Sequence, residues 1–267
     1  MFRTLTTATA SSSSRPLTTP SHISLTAPLT RSSLSAINVA LSSAFSEAAN
    51  IYDSAETHAA VLVPFCNVNG RPGILLEVRG KLRTHSGELP RGRVDKIDQS
   101  TLAAALRETQ EEIGIHPDQI EILGRFGPPE HSLGGMRVWP YVGFIHSESQ
   151  PALSVSRRNP TYDHNLTAGA DTDPDAPLPS LAMSSLILSP KEVAHAFHLP
   201  LSALLSPPRL HSYLFRGARP YYAINVDDLV ACPDTVHSNS EEVLWIDDPE
   251  QRDEVGGGRN GRLEVGG

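Results

Sequence analysis

The run Arg107-Glu108-Thr109-Gln110-Glu111-Glu112-Ile113-Gly114-Ile115 constrains this chain more than any other stretch. On a helix, Glu108, Glu111 and Glu112 stand at i, i+3 and i+4, so three carboxylates share one face about a turn long. Like charges that close repel, at roughly a few tenths of a kcal/mol per pair, and folding alone has no use for them. A divalent cation reverses the sign of that repulsion, and hard oxygen donors are what Mg²⁺ takes in phosphate chemistry. Arg107 adds a guanidinium able to fix one carboxylate through a bidentate pair.

The flanks support a helix with defined ends. Leu102, Ala103, Ala104, Ala105 and Leu106 are strong helix formers, and Asp98 or Ser100 can cap the start. Leu102, Ala105, Leu106, Thr109 and Ile113 form the stripe expected to be buried, with the carboxylates opposite. Gly114 stops the helix where a left-handed residue is least costly. Upstream, Pro90-Arg91-Gly92-Arg93-Val94-Asp95 reads as a loop whose glycine and basic side chains suit close approach to a phosphate. Loop, capped helix and carboxylate face together make a metal-dependent phosphate site.

That loop and helix resemble the Nudix box, at Gly92, Asp98, Arg107, Glu108, Glu111, Glu112, Gly114 and Ile115, with Thr109 at the position usually hydrophobic. Asp98 where most of the superfamily has Glu, and one extra residue before Arg107, are similar to the coenzyme A diphosphatase branch, of fungal, mitochondrial or peroxisomal type. Leu75-Leu76, Arg79, Leu82-Arg83, His85 and Gly87-Glu88 resemble the segment that precedes the box in that branch. The resemblance implies an α/β fold, a Nudix-type α/β/α sandwich with a small mixed sheet. It implies Mg²⁺ (or Mn²⁺) on Glu108, Glu111 and Glu112, with Glu111, Glu112 and Arg107 as catalytic residues and Asp98 at the helix entry. Arg79, Arg83, His85, Gly92 and Arg93 would bind substrate. The implied substrate is coenzyme A or acyl-coenzyme A, cut to 3′,5′-ADP and (acyl-)phosphopantetheine. Oxidised nucleotides and ADP-ribose are the rival substrates. The run from Gly87 to Gly92 is shorter than the branch usually carries, and Arg91 replaces a glycine, so a non-catalytic nucleotide-binding Nudix module also stays open.

Whole-chain properties bound the rest. A net charge of −8 argues against nucleic acid as a bulk partner and would repel an acidic substrate. The basic residues Arg79, Lys81, Arg83, Arg91, Arg93 and Lys96 beside the box are therefore the informative ones. The two cysteines, Cys66 and Cys232, do not make a disulfide framework, and Cys66 after Val61–Phe65 reads as a small buried hydrophobe. His195 and His198 would stand one helical turn apart, without a third ligand at zinc-site spacing. No apolar run approaches the ~20 residues that span a bilayer.

The domain organisation expected from these features has four parts. Residues 1–46 carry Arg3, Arg15 and Arg31, many Ser and Thr, and no acid. That is the composition of a transit peptide or a disordered leader, although Leu34–Phe45 could begin the mature fold as an amphipathic helix. Import would be mitochondrial, with peroxisomal or cytoplasmic location as alternatives. A hydrolase domain follows over 47–250, interrupted at 147–189 by an insertion rich in Pro, Ser and Asp. Residues 251–267 form a tail too glycine-rich to pack.

Within the domain, strands are predicted at Ala59–Asn67, Ile74–Val78, Ile120–Phe126 and Val138–His146, with Gly70–Gly73 as a turn. A helix is predicted from Ser189-Pro190 through Phe197, then a hairpin of Tyr213–Phe215 and Tyr221–Val226, and a short strand at Val243–Ile246.

Overall fold

The longest apolar run sets the architecture. His58–Val68 forms strand β1, and nearly all of its residues are buried, as befits a strand covered on both faces. In this computed structural model the described residues are 23–44, 52–53, 55–79, 90–132, 135–150, 173–215 and 219–238, with the strand backbone at 257–258 and 262–266. Helix α1 is Arg31–Ala44. β1 is followed by β2 (Arg71–Arg79), β3 (Arg91–Arg93), helix α2 (Thr101–Ile113), β4 (Ile120–Arg125), β5 (Glu130–His131) and β6 (Arg137–Ile145). Beyond residue 172 come β7 (Val193–Pro200), the hairpin β8 (Leu210–Phe215) and β9 (Arg219–Asn225), and β10 (Val236–Ser238).

These elements build a mixed sheet in the order β10-β7-β2-β1-β6-β4. β1 and β6 run parallel, with Ala60 opposite Trp139 and Phe65 opposite Phe144, while β2–β7 and β4–β6 pair antiparallel. Alternation sorts the side chains onto two faces. Ala60, Leu62, Cys66, Leu75, Trp139, Tyr141 and Ala196 pack under α2, against Ala104, Ala105 and Ile113. On the other face, Val142 and Phe144 meet α1, while Leu76 and Phe197 meet Ala203, Val226 and Val230. The result is the expected α/β/α sandwich with a mixed sheet. Burial pushes the Cys66 thiol up to about 12, so it is an inert packing group, as its apolar neighbours in sequence suggested.

Five expectations about boundaries are corrected. Residues 23–44 do not belong to an unpacked leader of 1–46. Leu29, Leu34 and Ile37 are buried, and Asn67 clasps the segment from beneath the sheet. Its Oδ1 accepts from the Leu29 amide at 2.8 Å, and its Nδ2 donates to the carbonyls of Leu29 and Leu178 at 3.0 and 2.9 Å. The amphipathic helix allowed for at Leu34–Phe45 is present as α1, on one apolar stripe (Leu34, Ile37, Leu41) at helical spacing. The insertion expected over 147–189 is shorter as well. Leu181, Met183, Leu186 and Leu188 enter the core under α2. The helix expected through Phe197 is strand β7, because an eight-residue apolar run fits a doubly covered strand as well as a helix. His195 and His198 consequently point to opposite faces, opposite Val78 and Leu75.

The expected turn at Gly70–Gly73 is instead Asn69-Gly70, and Arg71 already belongs to β2. In the tail, Gly257–Gly258 forms β11 and Arg262–Gly266 forms β12, which pairs with β11 and β9, so glycine content did not prevent backbone pairing. The hairpin of β8 and β9 formed as expected. Val243–Ile246 lies outside the described residues.

The Asn67 clasp makes a direct test of the N-terminal docking. Asn67→Ala removes three hydrogen bonds at a fully buried site, leaving the Leu29 amide and the Leu178 carbonyl without this partner while the Leu29 carbonyl keeps the Leu178 amide. The expected loss is about 2–4 kcal/mol of unfolding free energy, read as a lower urea midpoint. An unchanged midpoint would show that residues 23–30 are not docked.

Candidate active site

Helix α2 carries the carboxylates, and its ends are set as the sequence requires. Ser100 caps the start, its Oγ accepting from the Ala103 amide at 3.0 Å. Gly114 closes it at φ 76°, its amide donating to the Gln110 carbonyl at 3.0 Å. A Cβ at Gly114 would also come within 2.7 Å of Ile187, so glycine is required there twice over.

Arg107 organises the site. Its Nε and Nη2 donate to the two Asp98 oxygens, each at 3.0 Å, and Nη2 also reaches the Arg93 carbonyl at 3.2 Å. Its Nη1 meets Glu108 Oε1 and Glu111 Oε2, both at 2.9 Å. One guanidinium thus ties the stretch from Arg93 to Asp98 to two carboxylates of the helix. Gly92 lies against the same group: a Cβ there would fall 1.9 Å from the Glu108 carboxyl carbon. Pro90–Asp95 is only partly a loop, since Arg91–Arg93 forms β3 against Val61–Ala59, holding Gly92 at that approach.

The three carboxylates do not share one exposed face. Glu111 is 55 % exposed in its side chain and Glu108 17 %, whereas Glu112 is buried at 1 %. The segment after Leu186 closes over that side of the helix. Ile187 donates to the Ile113 carbonyl and Ser189 to that of Glu112. The stripe expected to be buried is otherwise present, except that Leu102 is only half covered and Ala104 takes its place. Among the described residues, no three His, Cys, Asp or Glu side chains converge as ligands of a single ion. Glu108 and Glu111 meet as a pair around Arg107 Nη1.

The charges respond to their surroundings in opposite directions. Arg107 holds the Asp98 carboxyl below the usual aspartate range. Glu108 is pushed up, first by burial; Arg107 opposes this, and the neighbouring Glu111 and Glu192 add to it. Glu192 lies in the turn before β7, where its Oε2 accepts from the Ser189 hydroxyl at 3.2 Å. Sequence reasoning did not single it out, having placed it in a helix with no link to the box. Glu77 was missed as well. It is fully buried in β2, opposite Ala196 on the α2 side of the sheet. An acid inside Ile74-Leu75-Leu76-Glu77-Val78 was the available signal.

Of the proposed substrate residues, Gly92 and the exposed Arg93 stand beside Glu108 and Arg107. Arg79 ends β2, and its side chain is outside the described residues, as are Arg83 and His85.

Residues 56–158 match the NUDIX domain family. A 93-residue stretch is 45 % identical to the uncharacterized Nudix hydrolase NudL of Klebsiella aerogenes, covering 34 % of this chain and 76 % of that one. The chain belongs to the Nudix family. The NudL of Citrobacter koseri is 48 % identical over 90 residues, covering 33 % of this Nudix chain and 46 % of its relative. The match therefore spans about half the length of most of these relatives. Among solved structures, a Caenorhabditis elegans Ap4A hydrolase aligns at 25 % identity over 36 % of this chain and 74 % of that one, with a TM-score of 0.30. At that score the superposition adds nothing to the family assignment.

The Arg107–Asp98 pair gives this Nudix site a pH signature. A carboxyl with a depressed folded value contributes stability fully above its unfolded value, about 3.9, and loses it as pH falls through the folded one. The stability difference between the wild type and Asp98→Asn should be flat from about pH 7 to 5 and shrink below about pH 4. Urea titrations across that range measure it. A difference that grows on acidification would contradict the pairing.

Proposed function

We propose that this Nudix chain is a divalent-metal-dependent diphosphatase whose substrate is coenzyme A or an acyl-coenzyme A. The observation that carries the reading is the Arg107 network, which holds Glu108, Glu111, Asp98 and the backbone of Gly92-Arg93 in one place. The donor set fits a hard cation such as Mg²⁺ or Mn²⁺. All the oxygens are carboxylate, Glu108 and Glu111 already approach one positive group, and a glycine without Cβ leaves Glu108 room. Glu108 and Glu111 would hold the ion, with Glu112 behind them and Glu192 supplying a carboxylate from a second element. Bound there, the ion would offset charge on the diphosphate oxygens.

The protein's own groups do the rest. Arg93, its carbonyl held by Arg107 and its side chain exposed at the end of β3, would pair with a phosphate of the incoming diphosphate. Arg107 would keep Glu111 and Glu108 oriented rather than touch the substrate, since its donors are committed to Asp98, Arg93 and the two glutamates. In the reaction, water adds to one phosphorus, the bond from that phosphorus to the bridging oxygen breaks, and the departing phosphate carries the electron pair. The products would be 3′,5′-ADP and (acyl-)phosphopantetheine.

The choice of coenzyme A rests on the likeness of Leu75-Leu76, Arg79, Leu82-Arg83, His85 and Gly87-Glu88 to the segment before the box in that branch. We propose a mitochondrial destination on composition alone. With residues 23–44 packed into the fold, the leader reading applies only to residues 1–22, which lie outside the described residues.

Glu111 is exposed, so Glu111→Gln should leave folding intact while lowering turnover by roughly 10²–10³-fold or more. Wild-type turnover in that variant would overturn the proposed metal-binding role of Glu111. Rates compared on coenzyme A, ADP-ribose and an oxidised nucleoside triphosphate decide the substrate. Preference for either of the last two would remove the coenzyme A assignment and keep the diphosphatase.

A further inference from the structure

An aromatic stack stands at the end of the sheet beside the acidic site, and neither the box nor the proposed reaction accounts for it. Tyr52 lies on the His58 ring, with centroids 4.1 Å apart and planes 23° from parallel. Trp139 packs behind, 6.2 Å from Tyr52 and 5.9 Å from His58. His58 and Trp139 are buried at 3 % each, yet Tyr52 is 54 % exposed although His58 covers one side of it. What sets Tyr52 apart from the other exposed large side chains, such as Phe126 and Tyr222, is this stacked and buried support beneath one ring face.

The support is rigid for identifiable reasons. Trp139 Nε1 can only donate, and it lies 3.0 Å from His58 Nδ1. His58 therefore carries its proton on Nε2, which donates to the Asp53 carbonyl at 2.6 Å. That bond binds the residue next to Tyr52 to the ring beneath it. The segment is pinned a second time where Glu56 pairs with Arg137 of β6 and the Arg137 amide donates to the Thr57 carbonyl. The Arg125 guanidinium sits 5.7 Å from the Trp139 ring centre, bringing a cation to the cluster.

The stack is also close to the chemistry. The His58 carbonyl accepts from the Val94 amide at 2.9 Å, and Ala59 stands opposite Arg93. Arg93 is the residue whose carbonyl Arg107 holds. From the ring of His58 to the acids the path is thus one strand crossing and one arginine. Gly92, opposite Ala60, lies on the same face as His58 and against Glu108, so a ligand approaching the acids there has this end of β1 one strand away.

We propose that Tyr52 is a stacking platform for the nucleobase of a nucleotide whose phosphates lie at Arg93 and the α2 carboxylates. This rests on the diphosphatase reading and adds to it the residue that recognises the base. Tyr52 lies before the family-matched stretch 56–158, while its supports His58 and Trp139 lie within it. A flat heterocycle suits the site because every base offers a π-face, and stacking on an aromatic ring contributes roughly 1–3 kcal/mol per base.

The test is calorimetric binding of adenosine monophosphate and of ribose 5-phosphate, which lacks the base, to the full chain. The wild type should bind adenosine monophosphate more tightly. Tyr52→Ala should weaken that binding roughly five-fold or more, Tyr52→Phe should retain it, and ribose 5-phosphate should bind all three alike. If Tyr52→Ala proves unstable, Tyr52→Leu, apolar but not aromatic, gives the same comparison. The proposal is overturned if adenosine monophosphate does not bind, binds Tyr52→Ala as tightly as wild type, or loses no more affinity than ribose 5-phosphate. Assaying the wild type for hydrolysis of coenzyme A, ADP-ribose and an oxidised nucleoside triphosphate beside the titration separates the two readings. Tyr52-dependent binding without hydrolysis of any substrate keeps the platform and removes the enzyme.

Discussion

The candidate site depends on one side chain occupied in four directions. Arg107 has a planar fork of donors, and the structure spends them on Asp98, the Arg93 carbonyl, Glu108 and Glu111. Its side chain is 20 % exposed and that of Asp98 4 %, so solvent screens this contact far less than a typical surface pair. Lysine could supply the charge but not the fork, and could not hold Asp98 bidentately while touching the helix acids. Because the fork bridges the stretch after β3 and the second turn of α2, it sets how close Gly92 comes to Glu108. The acids are thereby kept at short range without a ligand, which would otherwise cost repulsion.

A second constraint operates on the other side of the sheet. Asn67 acts as a buried polar splice between three chain segments that are distant in sequence: β1, Leu29 and Leu178. Helix α1 is then fastened along its length. Arg31 and His146 both bind Glu121, and the Asn38 amide reaches the Leu123 carbonyl. Burial alone would raise the Glu121 carboxyl, yet His146 and Arg31 hold it below its usual value. The polar work at this seam is done by single residues inside apolar strands.

The difference in scale explains what was legible in sequence. Helix α2 could be read to its caps, because Ser100, the apolar stripe and Gly114 are local signals that tertiary structure did not override. The role of Arg107 toward the helix acids was equally local, at i+1 and i+4. What failed was non-local. Glu112 could not be known to be buried without Ser189 arriving over it, and the strand β7 could not be told from a helix until β2 was seen beside it. The amphipathic stripe of α1 was legible from Leu34 on, but the docking of residues 23–44 was not, because the groups that hold it, Asn67 and Glu121, lie in other elements. Tyr52 carried no sequence signal at all, since its meaning comes from His58 and Trp139 across two strands.

The strand order also bears on how the chain reaches this state. β2 is made early, but one of its two neighbours is β7, more than a hundred residues later in synthesis. The stretch matched to the shared domain ends at residue 158, before that neighbour exists. A nascent chain of that length would present the edge of β2, apolar on both faces, with its hydrogen-bonding groups open to any passing strand. Contacts of such long sequence separation also slow folding, because loop closure must precede their reward. The matched stretch by itself therefore lacks the strand that closes this edge of the sheet. During synthesis the edge of β2 stays open until Pro200 has emerged.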